Sequence, residues 1–341
     1  MEKSFIIAEA GVNHCGSVER ALDMVDVAAD CGADAIKFQT FDTDHLVSAS
    51  APTVDYQRIA VGESRQDRML EALELPKDAH HMIVERCARR GIEFMSTPFD
   101  LGSAGFLVAL GMRRLKVPSG ELTNDVFLQG LSALRLPLIV STGMATLDEV
   151  RRAMAILSPG GAPSREGIPP LVLLHCTSNY PTHPLDVNLR AMATMASELG
   201  LPVGYSDHTL GINASVAAVA LGAVVIEKHF TLDRTLPGPD HAASLEPDGL
   251  GDLVRSIREV EAMLGSPEKK PTPSELPIRA AVRRSVASAR ALVRGQRLTV
   301  EDLTCLRPGV GIPPSELPSL VGRLVLRDVA RGTLLEREWI G

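Results

Sequence analysis

An α/β architecture, a closed (β/α)8 barrel followed by a small separate domain, is what three features of this sequence predict. A short apolar run, a polar turn and an amphipathic stretch recur in that order up to about residue 265. Eight such runs can be counted, and the count of eight favours closure into a barrel of the TIM type over an open, doubly wound sheet. A Pro- and charge-rich break, Ser266-Pro-Glu-Lys-Lys-Pro-Thr-Pro-Ser-Glu-Leu-Pro, then precedes a tail of short β-type runs and repeated turn signals. The expected division is a barrel over 1–265, a semi-rigid linker over 266–282 and a small domain over 283–341.

The elements follow in order. Phe5-Ile-Ile-Ala is the first strand and ends on Glu9. Val18, Ala21, Leu22, Val25, Ala28 and Ala29 keep helical spacing, and Gly32 stops that helix. Ala35-Ile-Lys-Phe-Gln is the second strand, and the polar stretch Thr40–Leu75 reads as an excursion over the barrel top. Lys77–Arg90 is helical and Gly91 ends it. Ile92-Glu-Phe-Met, the third strand, ends in Ser-Thr-Pro-Phe-Asp; after a short helix the fourth, Arg114-Leu-Lys-Val, ends in Pro-Ser-Gly-Glu. Leu138-Ile-Val ends in Ser-Thr-Gly-Met, and a helix from Thr146 to Leu157 carries Asp148 and Glu149 in its first turn, where the helix dipole favours them. Leu171-Val-Leu-Leu ends in His-Cys-Thr-Ser-Asn-Tyr. The last two runs start at Val203 and Val224 and stop on His208 and His229, with a helix over Asn213–Leu221 between them; Gly249–Leu264 is the eighth helix. In the tail, Arg294-Gly295 with Leu298, Glu301 and Leu303 is echoed 37 residues later by Arg331-Gly332 with Leu335, Glu338 and Ile340, which suggests internal pseudo-twofold symmetry.

Composition narrows the function. The net charge of −7 disfavours nucleic-acid binding, which needs a basic face. No apolar run approaches the ~18 residues of a membrane span. The first residues lack the apolar region of a signal peptide, with Glu9 interrupting them. Five scattered cysteines (Cys15, Cys31, Cys87, Cys176, Cys305) give no disulfide framework, so a reducing, cytoplasmic setting is expected.

Chemistry in such a barrel gathers at the carboxyl ends of the strands. Here every strand ends in polar groups, from Glu9, Lys37 and Gln39 through Ser96 and Thr97, Lys116, Ser119 and Glu121, and Ser141 and Thr142, to Tyr180, Ser206, Glu227 and the two histidines. A lone Ser or Thr there is usually a turn residue; eight polar ends together are harder to dismiss. Neighbouring parallel strands lie about 5 Å apart, so His208 and His229 are placed to share a divalent cation, with Glu9 close by once the barrel closes. Capping histidines without a metal are the plainer alternative. Lys37 and Lys116 sit late in apolar strands, where an unpaired ammonium is costly. Either is a candidate Schiff-base amine, or both clamp an anion with the hydroxyls of Thr97, Ser119 and Ser141, or both reach out to ordinary salt bridges. Two cations with several hydroxyls fit a phosphate or carboxylate better than one covalent amine does.

These motifs in order, Ile7-Ala-Glu-Ala-Gly-Val-Asn-His, Lys37-Phe-Gln-Thr-Phe, Ser96-Thr-Pro-Phe, Lys116-Val-Pro-Ser-Gly-Glu-Leu-Thr-Asn, Ser141-Thr-Gly-Met-Ala, Gly204-Tyr-Ser-Asp-His-Thr-Leu-Gly, Ile226-Glu-Lys-His-Phe-Thr and Gly238-Pro-Asp-His, resemble the sialic acid synthases. Arg283-Arg-Ser and Arg307-Pro-Gly-Val-Gly-Ile look like that family's antifreeze-like (SAF, β-clip) domain. The resemblance implies condensation of phosphoenolpyruvate with an N-acylated hexosamine to a nonulosonic acid and phosphate. The sugar would be N-acetylmannosamine or a relative leading to legionaminate or pseudaminate. It implies Mn2+ or Mg2+ on His208 and His229, and Glu9 at the reacting centre. Phosphoenolpyruvate would be held by Lys37, Thr97, Lys116, Ser119, Ser141, Tyr180 and Ser206. Glu121 and Asp240 would hold sugar hydroxyls. Arg307 would reach the N-acyl group from the other subunit of a domain-swapped homodimer. Cys15 stands where members commonly have Asn, and Ser178 where some have Asn. A Schiff-base aldolase and a non-catalytic carbohydrate-binding protein are the competing readings.

Overall fold

The computed structural model describes residues 3–48, 51–53, 55–157 and 169–341, so that 49–50 and 54 of the Thr40–Leu75 excursion lie outside the described residues. The chain divides into two compact units, Met1–Gly265 and Ser266–Gly341. Among its described residues the first contains eight strands: β1 (Phe5–Gly11), β2 (Ala35–Thr40), β3 (Glu93–Pro98), β4 (Leu115–Val117), β5 (Leu138–Ser141), β6 (Leu171–Cys176), β7 (Val203–Asp207) and β8 (Val225–His229). Every pairing among them is parallel, and the ladder runs β3-β2-β1-β8-β7-β6-β5-β4. The first and last strands are thus joined, and β3 and β4 lie in contact without a ladder between them. The result is a nearly closed (β/α)8 barrel.

Among the described residues eight longer helices cover it: α1 (Val18–Asp30), α2 (Lys77–Arg90), α3 (Leu101–Ala109), α4 (Asp125–Ala133), α5 (Leu147–Leu157), α6 (Arg190–Leu199), α7 (Asn213–Ala220) and α8 (Pro247–Leu264). α1 buries Ala21, Met24, Val25 and Ala28, and the Ser17 side chain caps its first turn. α2 ends where Gly91 turns left-handed at φ +70°. The excursion between β2 and α2 carries three short helices, Thr43–Leu46, Asp55–Val61 and Gln66–Glu71. Among the described residues no helix is long and apolar enough to cross a membrane.

Side-chain alternation along the strands positions the site. One set of strand residues, including Ile6, Ala8, Ile36, Phe38, Tyr205 and Ile226, joins the helices in the main core. A second, smaller cluster fills the barrel interior: Ile7, Ala35, Met95, Ile139, Val172, Leu174 and Val225. Two residues further along the same strands, on the same face, stand Glu9, Lys37, Thr97, Ser141, Cys176 and Glu227. An apolar floor therefore carries a polar layer directly above it, at the carboxyl ends.

In the second unit, β9 (Ser285–Ser288) pairs antiparallel with β10 (Leu303–Leu306) over a core of Val286, Leu292, Leu298, Leu303, Ile312, Leu320, Val325, Val329 and Leu335. The 37-residue echo is structural. Leu292 and Val329 pair with each other, and the pairs Ala287–Leu334 and Leu324–Arg297 exchange under that offset. The turns at Gly295 (φ +85°) and Gly332 (φ +79°) donate to Val325 O and Ser288 O, which correspond in the same way. The stretch read as a linker contains a helix, α9 (Glu275–Val282). Pro277 lies in its first turn, where the missing N–H costs no helical bond.

Candidate active site

The polar layer opens into a cavity of about 420 Å³. Ten residues singled out from the sequence line it: Glu9, Lys37, Thr97 and Lys116 on the first four strands, Ser119 and Ser141 beyond them, and Tyr180, Ser206, His208 and His229 on the far side. Lys37 Nζ lies 2.7 Å from Glu9 Oε2, donates to Thr97 Oγ1 at 2.8 Å and stands 3.6 Å from Glu227 Oε2. Lys116 Nζ donates to Ser141 Oγ at 2.6 Å and stands 3.6 Å from Glu227 Oε1, which also accepts from Ser206 Oγ at 3.0 Å. Glu227 thus links the two lysines. In the sequence Glu227 shows only as a polar strand end; its alternation with Val225 is the signal that it points inward.

Burial in this layer separates the two carboxylates. Desolvation raises Glu9 to about 7, because Lys37 only partly offsets it and the Glu227 charge adds to it. Burial would also raise Glu227, but Lys116 and Lys37 overcome it and hold that carboxyl down at about 2. Desolvation opposes the Lys37 ammonium, yet Glu227 and Glu9 outweigh it and hold it above the usual lysine range. Lys116 is pushed down by desolvation, with Lys37 repelling it. An anion entering between the lysines would favour the charged form of both. Next to the cavity-lining residues Ser119, Cys176 and Ser178, a Cβ on Gly143 would collide with Ser178 Oγ and come within 2.8 Å of both Cys176 Sγ and Ser119 Oγ.

The imidazoles stand across the cavity, ring centroids 5.5 Å apart. His208 Nδ1 lies 2.7 Å from Thr177 O; a carbonyl only accepts, so Nδ1 carries the proton and Nε2 is left bare. His229 Nδ1 is buried without a hydrogen-bond partner and lies 3.9 Å from Asp240 Oδ2. Burial pushes both rings toward the neutral form, His229 well below the usual range with His208 adding to the effect. Tyr180 packs over His208 at 4.1 Å between centroids. Two neutral rings and an orphaned ring nitrogen fit a divalent cation. Among the described residues no three His, Cys, Asp or Glu side chains already converge as a ligand set, so water or substrate would complete its coordination.

Asp240 lies in an adjoining cavity of about 390 Å³ that shares Gln39, Gln57, Gln66, Phe99, Tyr180 and His229 with the first. Desolvation raises the Asp240 carboxyl to about 6. Phe41, Leu46, Leu70 and Leu73 from the excursion give this second cavity an apolar wall. Glu121 sits in the short turn Ser119–Glu121, bonded to Asn124 Nδ2 at 2.7 Å, and is not among the residues lining either cavity. Arg307 is exposed in the second unit, directly after β10.

A barrel with this charged layer at the carboxyl ends of its strands, on a chain that also carries a small pseudo-twofold β domain, has the layout of a barrel enzyme. The NeuB family matches residues 24–269 and the SAF domain matches residues 283–336; the chain belongs to the NeuB family. It is 53% identical over 337 residues to N,N'-diacetyllegionaminic acid synthase of Legionella pneumophila, across 98% of this chain and 94% of that one. The protein of the same name from Campylobacter jejuni is 41% identical over 336 residues, covering 98% and 99% of the two chains. A solved N-acetylneuraminic acid (sialic acid) synthetase from Leptospira borgpetersenii superposes with TM-score 0.71 at 35% identity, over 81% of this chain and 90% of that one.

Proposed function

We propose that this chain condenses phosphoenolpyruvate with an N-acylated hexosamine to give a nonulosonic acid and inorganic phosphate. The observation that carries the reading is the polar layer itself, two buried lysines bridged by Glu227 and facing two neutral imidazoles. Lys37, Lys116, Thr97, Ser119, Ser141, Tyr180 and Ser206 hold phosphoenolpyruvate as a polyanion. The C3 methylene of phosphoenolpyruvate adds to the open-chain sugar aldehyde, whose oxygen takes up a proton; water adds at C2, the carbon that bears the phosphate ester, and gives up its protons as phosphate departs with C2–O cleavage to leave the 2-keto acid. His208 and His229 would hold Mn2+ or Mg2+, which when bound would supply Lewis-acid polarisation of the aldehyde. Glu9, with its pKa near 7, is suited to accept or return a proton beside Lys37 at neutral pH.

Asp240 is proposed to bind sugar hydroxyls in the adjoining cavity, and Glu121 to assist from its turn. A homodimer with exchanged C-terminal domains, working in the cytoplasm, completes the reading, with the partner subunit's Arg307 at the N-acyl group. The sugar favoured is the diacetamido-trideoxy precursor of N,N'-diacetyllegionaminate, since relatives at 53% and 41% identity carry that name and the apolar wall suits a deoxy sugar. N-acetylmannosamine, leading to N-acetylneuraminate, is the second reading, supported by the Leptospira relative.

Phosphate release from phosphoenolpyruvate, measured with each of these sugars and with the pseudaminate precursor, tests the proposal. Turnover is expected with one of them, lost on chelation and restored by Mn2+. No release with any sugar would leave a carbohydrate-binding protein. A Schiff-base aldolase would survive chelation and be trapped by borohydride with pyruvate at Lys116, since Lys37 is held as the ammonium by its carboxylates.

A further inference from the structure

Each cavity histidine is preceded by a charged residue that belongs to the opposite face of its strand. Asp207 and Lys228 are register partners on β7 and β8, and their same-face neighbours Tyr205 and Ile226 pack into the core shared with the helices. Both side chains are fully inaccessible, and Lys228 Nζ lies 3.1 Å from Asp207 Oδ2. Neither residue lines the cavity, so this ion pair is separate from the Lys37–Glu9–Glu227–Lys116 network.

The pair converges on one residue. Asp207 Oδ1 accepts from both the backbone N and the Oγ1 of Thr209, each at 2.8 Å, and Asp207 Oδ2 accepts from Ser215 Oγ in α7 at 2.6 Å. Lys228 Nζ donates to Thr209 O. Both backbone groups of the residue following His208 are therefore held by side chains that precede the two histidines. On the other side, His208 O accepts from Thr182 N at 2.8 Å and its ring from Nδ1 reaches Thr177 O.

Stability alone gives little reason for such a pair. Desolvating two charges roughly cancels their attraction, and apolar residues of equal volume serve a core as well. What an ion pair adds is register. Sliding β8 by one residue against β7 would turn Lys228 inward, away from Asp207, and would send His229 toward the helices.

We propose that the Asp207–Lys228 pair is a positioning device that fixes the separation and orientation of the His208 and His229 rings. Both are positioning residues that act through Thr209 and the β8 backbone. The consequence for metal affinity rests on the metal reading given above; the order of the rings does not.

The full chain carrying Asp207→Leu with Lys228→Met removes both charges while keeping a side chain branched at Cγ in one case and a straight one in the other. Two readouts apply: Mn2+ affinity by EPR titration with no other ligand, and the His208 Nδ1–H signal by histidine-selective NMR of the metal-free protein. A cooperatively folded double variant is expected to bind Mn2+ about 10–100-fold more weakly than the parent, as loss of groups behind metal ligands commonly does. Its ring-proton signal is expected to broaden or vanish. Parental Mn2+ affinity together with a parental ring signal would overturn the proposal. If the double variant does not fold, Ser215→Ala withdraws one bond from Asp207 without stranding a charge. A weaker Mn2+ affinity and a broadened ring signal are then expected, and parental values for both overturn it. If the parent binds no Mn2+, the metal reading fails by itself and the ring signal alone decides the positioning role.

Discussion

At the scale of single residues the site turns on burial. Lys37 and Lys116 were legible because a lysine late in an apolar strand needs a partner, and the partners are Glu9, Glu227 and two hydroxyls. Glu227 was harder to see, because sequence shows that a carboxylate ends a strand but not that both lysines converge on it from β2 and β4. Gly143 was also missed, since nothing in Ser-Thr-Gly-Met tells which atoms crowd its missing Cβ. It yields a sharp test. Gly143→Ala places a methyl where Ser178, Cys176 and Ser119 already meet. The expected outcome is a large loss of phosphoenolpyruvate affinity by calorimetry with Mn2+ affinity retained. Overpacking of this kind is expected to cost about 1–3 kcal/mol in a stability measurement. Unchanged phosphoenolpyruvate binding would remove this corner from the anion seat.

Among the elements, the strands were read more fully than the helices. Each barrel strand was found because its apolar run is short and bounded by a polar end. α4 and α6 were not singled out: α4 carries Gly130 within a short span, and α6 is an alanine- and methionine-rich segment with weak start signals. α9 was hidden by its proline and by the charged run before it. The small domain gives an element-level prediction through Asp302. Burial alone would raise this carboxyl, but bonds from the Arg290 side chain and from Thr299 N (2.8 Å) and Oγ1 (2.9 Å) overcome it and hold the pKa down to about 2 from 3.8. A carboxyl depressed in the folded state adds stability that is fully present above its unfolded pKa and is lost as pH falls toward the folded one. The domain should therefore weaken between about pH 4 and pH 2. In Asp302→Asn the parental advantage should shrink to nothing across that window. The chain's one tryptophan, Trp339, packs under Arg327 within this unit, so its fluorescence in acid-titrated melts reports the measurement directly. A constant difference between the two proteins from pH 5 to pH 2 would contradict the assignment.

For the whole molecule, each unit has its own core, and that predicts independent folding. Residues 1–265 expressed alone should unfold cooperatively and still bind Mn2+ and phosphoenolpyruvate, because every proposed ligand of either lies before Gly265. If the partner subunit's Arg307 completes the sugar site, the same fragment should show no turnover at sugar concentrations that saturate the full chain. Full turnover by the fragment would remove the C-terminal unit from catalysis. The prolines after Ser266 stand at the start of the second unit, whereas the arrangement of side chains inside the barrel depends on register, which a single sequence does not fix.

The joint between β3 and β4, which touch without a ladder, has a consequence for ligand binding. Thr97 and its donor Lys37 stand on one bank of that joint, and Lys116 with Ser141 on the other. A phosphate gripped by all four would act as a rivet across the weakest line of the wall. Amide hydrogens of Glu93 to Thr97 in β3 and of Leu115–Val117 should then exchange faster than those of β1 and β8 in the free protein and slow markedly once phosphoenolpyruvate is added. At a hundredfold excess over its dissociation constant, the ligand should add about 2.7 kcal/mol to the barrel's resistance to unfolding. Protection gained equally by all eight strands would mean that the anion only tightens the barrel as a whole.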